Sequence, residues 1–228
     1  MSTLIQATVA VHDLTTAGIR ERLSLAPGFP DPELASWGIT NEILTLGETY
    51  IELVAPTGPS SRLNRFLTDG EGGYLLALRV PATATLTRRC AERGVRVIHQ
   101  QDFHGATITQ LHPADLGVLV EADEIPPGRA WHYDTWPAAG VDTSPQAGDI
   151  LAADVAVADP AAMAELWAYL FDAEVLPGGV VRVESRVVRF VPVQGRRGLV
   201  GVDLRATGSR EETVELAGLR IRLVPEGS

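Results

Sequence analysis

Two glutamates carry the strongest chemical signal in this chain. Glu52 lies in Ile51-Glu52-Leu53 and Glu121 in Val120-Glu121-Ala122, each in the middle of a stretch that reads as a β-strand. Side chains alternate along a strand, so Glu52 faces away from Ile51 and Leu53. An inward carboxylate needs a partner or a metal, which makes each residue a candidate metal ligand or general base. The plain alternative is a charge facing solvent from an antiparallel sheet. His112 precedes Pro113 in a turn; it could exchange protons, contact a substrate or pack beside the sheet. His12 and His104 fall in loops, and His99 falls at a strand end. Cys90 follows Leu86 at i+4 spacing, which reads as the buried face of a helix rather than a nucleophile. All 19 basic residues are Arg, so Schiff-base chemistry on Lys is removed. Arg189 with Arg182 or Arg220 could clamp an anion; solvated arginines on an exposed sheet face are the alternative.

Positioning these groups requires strands, and the chain repeats one arrangement of them. Three segments share an apolar strand, a turn with Asp or Pro, a helix and further strands. They open at Ile5–Leu14, Tyr74–Pro81 and Ile150–Pro160, with helices expected over Thr15 to Leu25, Ala84 to Arg93 and Ala161 to Phe171. Gly94 caps the second helix, and Met163, Leu166, Trp167 and Leu170 give the third an apolar face. Gly47-Glu48 reads as a hairpin turn, and Ser61 to Leu67 as a short joining helix. The pair Leu199 to Ala206 and Thr213 to Val224 looks like a fourth module without its helix. The expected organisation is a two-module unit over 1–124, a linker over 125–147 and a second, degenerate unit over 148–228 with a truncated last module. The linker carries Trp131, His132, Tyr133 and Trp136, so it is expected to pack against the modules.

Composition sets outer bounds. The chain has 228 residues, 45% of them hydrophobic, and a net charge of −10. An acidic chain without a basic stripe argues against nucleic acid and against an anionic membrane surface as partners. One cysteine permits no internal disulfide, and no signal segment or membrane-length apolar run is visible. A bacterial-type cytoplasmic protein with a small-molecule ligand is the expectation.

Short motifs in a fixed order sharpen it. Thr40-Asn41, Leu46-Gly47-Glu48 and Tyr50-Ile51-Glu52-Leu53-Val54-Ala55-Pro56 resemble the glyoxalase-like pattern of the vicinal-oxygen-chelate (VOC) superfamily. His112-Pro113 followed by Gly117-Val118-Leu119-Val120-Glu121 is similar to the end of a methylmalonyl-CoA epimerase module. The resemblance implies an α+β fold in which repeated βαβββ modules form cupped mixed sheets around one metal. It places the ligands on the first and last strands of each module: Gln6, Glu52 and Glu121 here, with Leu75 at the fourth place, where the family usually has His. A divalent Mg, Mn, Co, Ni, Fe or Zn ion is thus implied, against a Leu that cannot bind one.

The resemblance implies an enzyme first: a metal-assisted isomerase, epimerase or lyase for a small oxygenated substrate such as a 2-oxo acid, thioester or hemithioacetal. Glu52 and Glu121 would be catalytic, and Trp37, Asn41 and His112 would contact substrate. The dioxygenase branch uses two His and a Glu, and only the Glu is present. The alternative is a metal-free binding protein, like the bleomycin-resistance and other antibiotic-sequestering members, with Trp37, Trp131 and Trp136 lining its pocket. A third reading makes the modules a partner subunit or dimer surface, since modules can pair within the chain or across a homodimer.

Overall fold

The computed structural model describes residues 1–129, 131, 144, 146–209 and 211–225. His132, Tyr133 and Trp136 of the expected linker lie outside the described residues. The strands β1 (Thr3–Ala10), β2 (Ile39–Leu46), β3 (Thr49–Pro56), β4 (Gly72–Arg79), β5 (Val97–Phe103), β6 (Ala106–Leu111) and β7 (Leu119–Glu124) form one mixed sheet, in the order β2-β3-β1-β4-β7-β6-β5. A second sheet takes β8 (Ala147–Val157), β9 (Glu174–Leu176), β10 (Val180–Val183), β11 (Arg186–Pro192), β12 (Gly198–Ala206), β13 (Glu212–Leu216) and β14 (Leu219–Val224), in the order β13-β14-β12-β8-β11-β10-β9. In each sheet two modules meet at a central antiparallel pair, β1 with β4 and β8 with β12. The expected α+β architecture of repeated modules is the observed one.

The modules differ in how much of the repeat they keep. Helix α3 (Thr83–Arg93) follows β4 and buries Leu86 and Cys90, ending at Gly94 in a left-handed cap. Helix α5 (Pro160–Phe171) follows β8; Asp159 caps it from Ala162 N, with Pro160 at its first position. The helix expected over Thr15 to Leu25 is instead a 3-10 turn, Leu14–Thr16, and a single α-turn, α1 (Ile19–Arg22). Gly18 between them has φ +69°, which breaks helical propagation. The strand that should follow is reduced to one bridge, Phe29 with Ile43. Two further short helices are α2 (Leu63–Leu67) and α4 (Pro113–Leu116). No helix among the described residues is long and apolar enough to cross a membrane.

Strand alternation sorts the side chains into a shared core and two outward cups. Leu4, Val9, Leu53, Leu76 and Leu78 of the first sheet pack into one cluster with Val155, Phe190, Val202, Leu204 and Ile221 of the second. Trp167 of α5 contacts Phe171 and Phe190 there and donates its Nε1 to Leu116 O at 3.2 Å. Polar contacts also cross between sheets: Ile150 N donates to Thr49 Oγ1 at 2.9 Å, and Arg186, which donates to Ile150 O within its own sheet, also donates to Thr3 Oγ1 at 3.0 Å. Strands β4 and β12 approach so closely that a Cβ on Gly73 would stand 2.4 Å from Leu199 O. A backbone carbonyl cannot swing aside as a side chain can. Gly73→Ala is therefore expected to destabilise the chain by about 1–3 kcal/mol. Urea denaturation of the two proteins checks this, and coincident midpoints would refute the close approach.

Candidate functional site

The outward cup of the first sheet encloses a cavity of about 320 Å³. Its wall includes Gln6 and Thr8 of β1, Glu52 and Val54 of β3, Tyr74 and Leu75 of β4, Ile108 and Gln110 of β6, and Leu119 and Glu121 of β7. A 3-10 helix, Pro32–Trp37, closes one side with Glu33, Leu34, Ser36 and Trp37. Trp131 is fully buried among Ile5, Ile43, Tyr50, Leu75 and Ala77 and forms part of the wall. Arg62 lies over the Trp37 ring at 5.4 Å, and His99 meets that ring edge-on at 5.7 Å.

Glu52 is the centre of the polar network. Register puts it beside Thr8 on β1, which is itself beside Leu75 on β4. Its Oε1 accepts from Asn41 Nδ2 at 2.8 Å. Its Oε2 accepts from Thr8 Oγ1 and from Gln6 Nε2, each at 2.9 Å. Asn41 is oriented by Asp31 N, which donates to Asn41 Oδ1 at 3.0 Å; Asp31 in turn caps the 3-10 helix through Glu33 N. Burial pushes the Glu52 carboxyl up to about 7, against the hydrogen bonds of Asn41 and Thr8 and with help from the negative charges of Glu121 and Asp31. Every donor on Glu52 is neutral, so nothing restores its charge. Gln6 is 5% exposed, and its Oε1 has no hydrogen-bond partner among the described residues.

Glu121 holds the other side of the cup. It accepts from Gln110 Nε2 at 2.7 Å and shares a side-chain hydrogen bond with Asp123. Asp123 is fully buried, and burial holds its carboxyl well above the usual range. Two carboxyls that share a hydrogen bond need a proton between them. Tyr74 also lines the cavity; burial raises its phenol, which stays neutral at physiological pH.

The residues singled out in the sequence divide clearly. Gln6, Glu52, Glu121 and Trp37 line one cavity, and Asn41 reaches it through Glu52. His112 does not join them. It caps α4, its Nδ1 accepting from Ala114 N at 3.1 Å, beside Arg96 and Asp115. Its place before Pro113 at a helix start explains that role better than contact with substrate. The second cup corrects the anion clamp: Arg189 donates to Asp154 at 2.5 Å and to Asp203 at 2.7 Å, Arg220 pairs with Asp154, and Arg222 pairs with Asp203. These arginines are neutralised from within the sheet, and Arg182 pairs with Glu174. Asp31, Glu33, Arg62, Gln110 and Asp123 were not singled out. Only Asp123 had a local signal, since it lies two residues after Glu121 on one strand and so shares its face.

The implied metal was to be held by Gln6, Glu52, Glu121 and a fourth group at position 75. Leu75 offers only methyl groups. Glu52 Oε1 already accepts one hydrogen bond and Oε2 two, so an ion would compete with Asn41, Thr8 and Gln6 for them. Among the described residues no group of three His, Cys, Asp or Glu is placed to hold a metal ion. Position 75 supplies no donor, and the Glu52 carboxylate is engaged by three neutral donors, so the donor set as arranged does not fit the ion. Loading with Mn, Co, Ni or Zn is expected to leave well under one equivalent after desalting. Elemental analysis checks this, and a full equivalent lost in Glu52→Ala would reverse the conclusion.

Comparison with known proteins accords with this geometry. A family model described as a glyoxalase-like domain matches residues 7–171. The ethylmalonyl-CoA/methylmalonyl-CoA epimerase of Cereibacter sphaeroides is 32% identical over 126 residues, covering 51% of this chain and 93% of the relative. The mitochondrial methylmalonyl-CoA epimerase of Bos taurus is 30% identical over 124 residues, 51% of this chain and 70% of the relative. A crystal structure of a hypothetical protein from Staphylococcus aureus superposes on 99% of this chain and 100% of its own length, with a TM-score of 0.70 and 11% identity. That last likeness extends the shared fold to both sheets.

Proposed function

The chain belongs to the glyoxalase-like family of the VOC superfamily, and from that premise we propose that its first cup is the active site of an isomerase of the epimerase type. The reaction would move a proton on a carbon beside a carbonyl. The observation that carries this reading is Glu52, a buried carboxyl in a cavity wall whose pKa of about 7 lets it both take and return a proton near neutrality. Its three neutral partners hold it in one orientation without fixing its charge. Epimerisation also needs a second group for the opposite face of the carbon. Glu121 lies on β7, three strands from β3 across the central β1 and β4 pair, and lines the same cavity. Gln110 orients it, and Asp123 shares a proton with it. The neutral Tyr74 phenol is a donor in the wall that can face the oxyanion as the enolate forms. No step runs through a metal.

The test is solvent exchange. The full chain would be incubated in D2O with methylmalonyl-CoA, 2-oxo acids and small hydroxy ketones, and loss of the α-proton signal followed by NMR. Exchange with at least one class, lost in Glu52→Gln, supports the reading. A second reading, a metal-free ligand-sequestering protein, is favoured by Leu75 at the fourth ligand place and by the closed hydrogen-bond set on Glu52. Tight binding without exchange of any compound would establish that reading instead.

A further inference from the structure

We propose that the first cup takes an uncharged or cationic α-hydroxy or α-amino carbonyl compound, and excludes CoA thioesters of dicarboxylic acids. The inference rests on the isomerase reading for what happens in the cup, but its argument is about recognition.

Two independent observations carry it. Among the described residues the cavity wall holds four acidic residues, Asp31, Glu33, Glu52 and Glu121, against one guanidinium, Arg62, which lies over Trp37. A methylmalonyl thioester brings a free carboxylate, and coenzyme A adds three phosphate groups. Recognition of such groups calls for clustered Arg or helix N-termini, and the described residues of the wall supply one Arg. A carboxylate brought into this cavity meets Asp31 and Glu33 as like charges and favours the protonated form of Glu52, which takes away the base. The charge balance therefore opposes the substrate printed in the names of the related epimerases.

The second observation is Gln6 Oε1. It belongs to a side chain that is 5% exposed and lines the cavity, and it accepts no hydrogen bond among the described residues. A buried acceptor without a donor is costly unless a ligand completes it. The ligand must then bring an N–H or O–H. The place of that donor is also constrained. Gln6 Nε2 donates to Glu52 Oε2 at 2.9 Å, so the oxygen of the same amide sits immediately beside the carboxyl proposed to move the proton. A substrate whose reacting carbon faces Glu52 meets Gln6 with a group one or two bonds away. That describes a hydroxyl or amine on the reacting carbon or its neighbour. The apolar remainder of the wall, with Trp37, Ile43, Leu75 and Phe103, accepts a hydrocarbon or aromatic end.

Three probes test it on the full chain: enantiopure 1-hydroxy-1-phenylpropan-2-one, its O-methyl ether and methylmalonyl-CoA. Binding is read from tryptophan emission, since Trp37 and Trp131 line the cavity, and proton exchange from NMR in D2O. The hydroxy ketone is expected to bind at least about tenfold more tightly than its ether, the value of one satisfied buried acceptor, and to exchange its carbinol proton, with methylmalonyl-CoA doing neither. Gln6→Leu is expected to erase the difference between ketone and ether. Preference for the ketone without exchange would uphold the ligand class and sink the isomerase reading. Exchange of methylmalonyl-CoA would uphold the isomerase and overturn the ligand class. Equal binding of ketone and ether in a folded wild-type protein would also overturn it.

Discussion

Glu52→Gln is expected to lower proton exchange by about 10²–10⁴-fold while making the chain more stable at alkaline pH. The two effects have opposite signs because one group causes both. Burial raises the carboxyl from its ordinary 4.5 to about 7. Between those values the folded chain binds more protons than the unfolded one, so stability falls as pH rises through the window. Below pH 4.5 both states are protonated and no penalty exists. Above pH 7 the full penalty applies, roughly 3 kcal/mol from the size of the shift. Glutamine carries no charge to bury, and Gln6 can turn its amide to accept from the new NH2 group. The variant should therefore melt on the order of 5–10 °C above wild type near pH 8, with the gain vanishing near pH 4.5. Calorimetry across that range checks the stability limb. The pH profile of kcat/KM, which should change slope near 7 in wild type, checks the catalytic one. A pH-independent loss of stability in the variant would mean that Glu52 is an ordinary structural charge.

Arg189→Met carries the next largest expected cost, and it lies in the other cup. Asp154 and Asp203 are nearly buried, and Arg189 bridges them. Burial works against the guanidinium's charge, yet the two carboxylates more than offset it and its pKa is raised. Methionine preserves much of the volume and removes the bridge. Two buried carboxylates then share only Arg220 and Arg222, at the more exposed edge. Breaking a buried network from one side costs about 3–5 kcal/mol. Neutralising the acids as well, in Arg189→Met/Asp154→Asn/Asp203→Asn, should recover a large part of the loss, because the cost comes from uncompensated charge rather than from packing. Urea midpoints for the single and triple variants decide this; a single variant within about 1 kcal/mol of wild type would show that the network is ornamental. Asp203 is opposed by burial but held below its ordinary value by Arg189 and Arg222. Its contribution is present above pH 3.8 and is lost as pH falls through the lower folded value, the reverse of Glu52.

Both cups descend from the same repeat, and their contrast explains why only one is a candidate active site. Arg189 pairs in register with Asp154 on the parallel neighbour β8, as Glu52 pairs with Thr8 on β1. The first arrangement leaves a buried acid among neutral donors and open space. The second closes every charge on an opposite one. A neutralised cup is a structural solution, whereas Glu52 keeps a proton available.

The amino-acid sequence by itself determined the module pattern and the alternating faces of the strands, and it left open whether Glu52 and Glu121 turn inward or to solvent. Those features depend on alternation, helical spacing and caps, which act over a few residues and survive without knowledge of neighbours. Leu75 at the fourth ligand place was legible through the family resemblance, and Asp123 could have been found by alternation. Tertiary structure alone decided what each inward group meets. Strand order brings Asn41, Thr8 and Gln6 around Glu52 and leaves Gln6 Oε1 without a partner among the described residues. It also seats Trp131 against residues more than fifty positions away and places Asp154 and Asp203 under Arg189. The lost first helix belongs to the same class, since apolar residues over Thr15 to Leu25 suggested periodicity while the left-handed Gly18 stopped it. Charge compensation, burial and the raised pKa of Glu52 arise from contacts across strands, and no spacing within one strand encodes them.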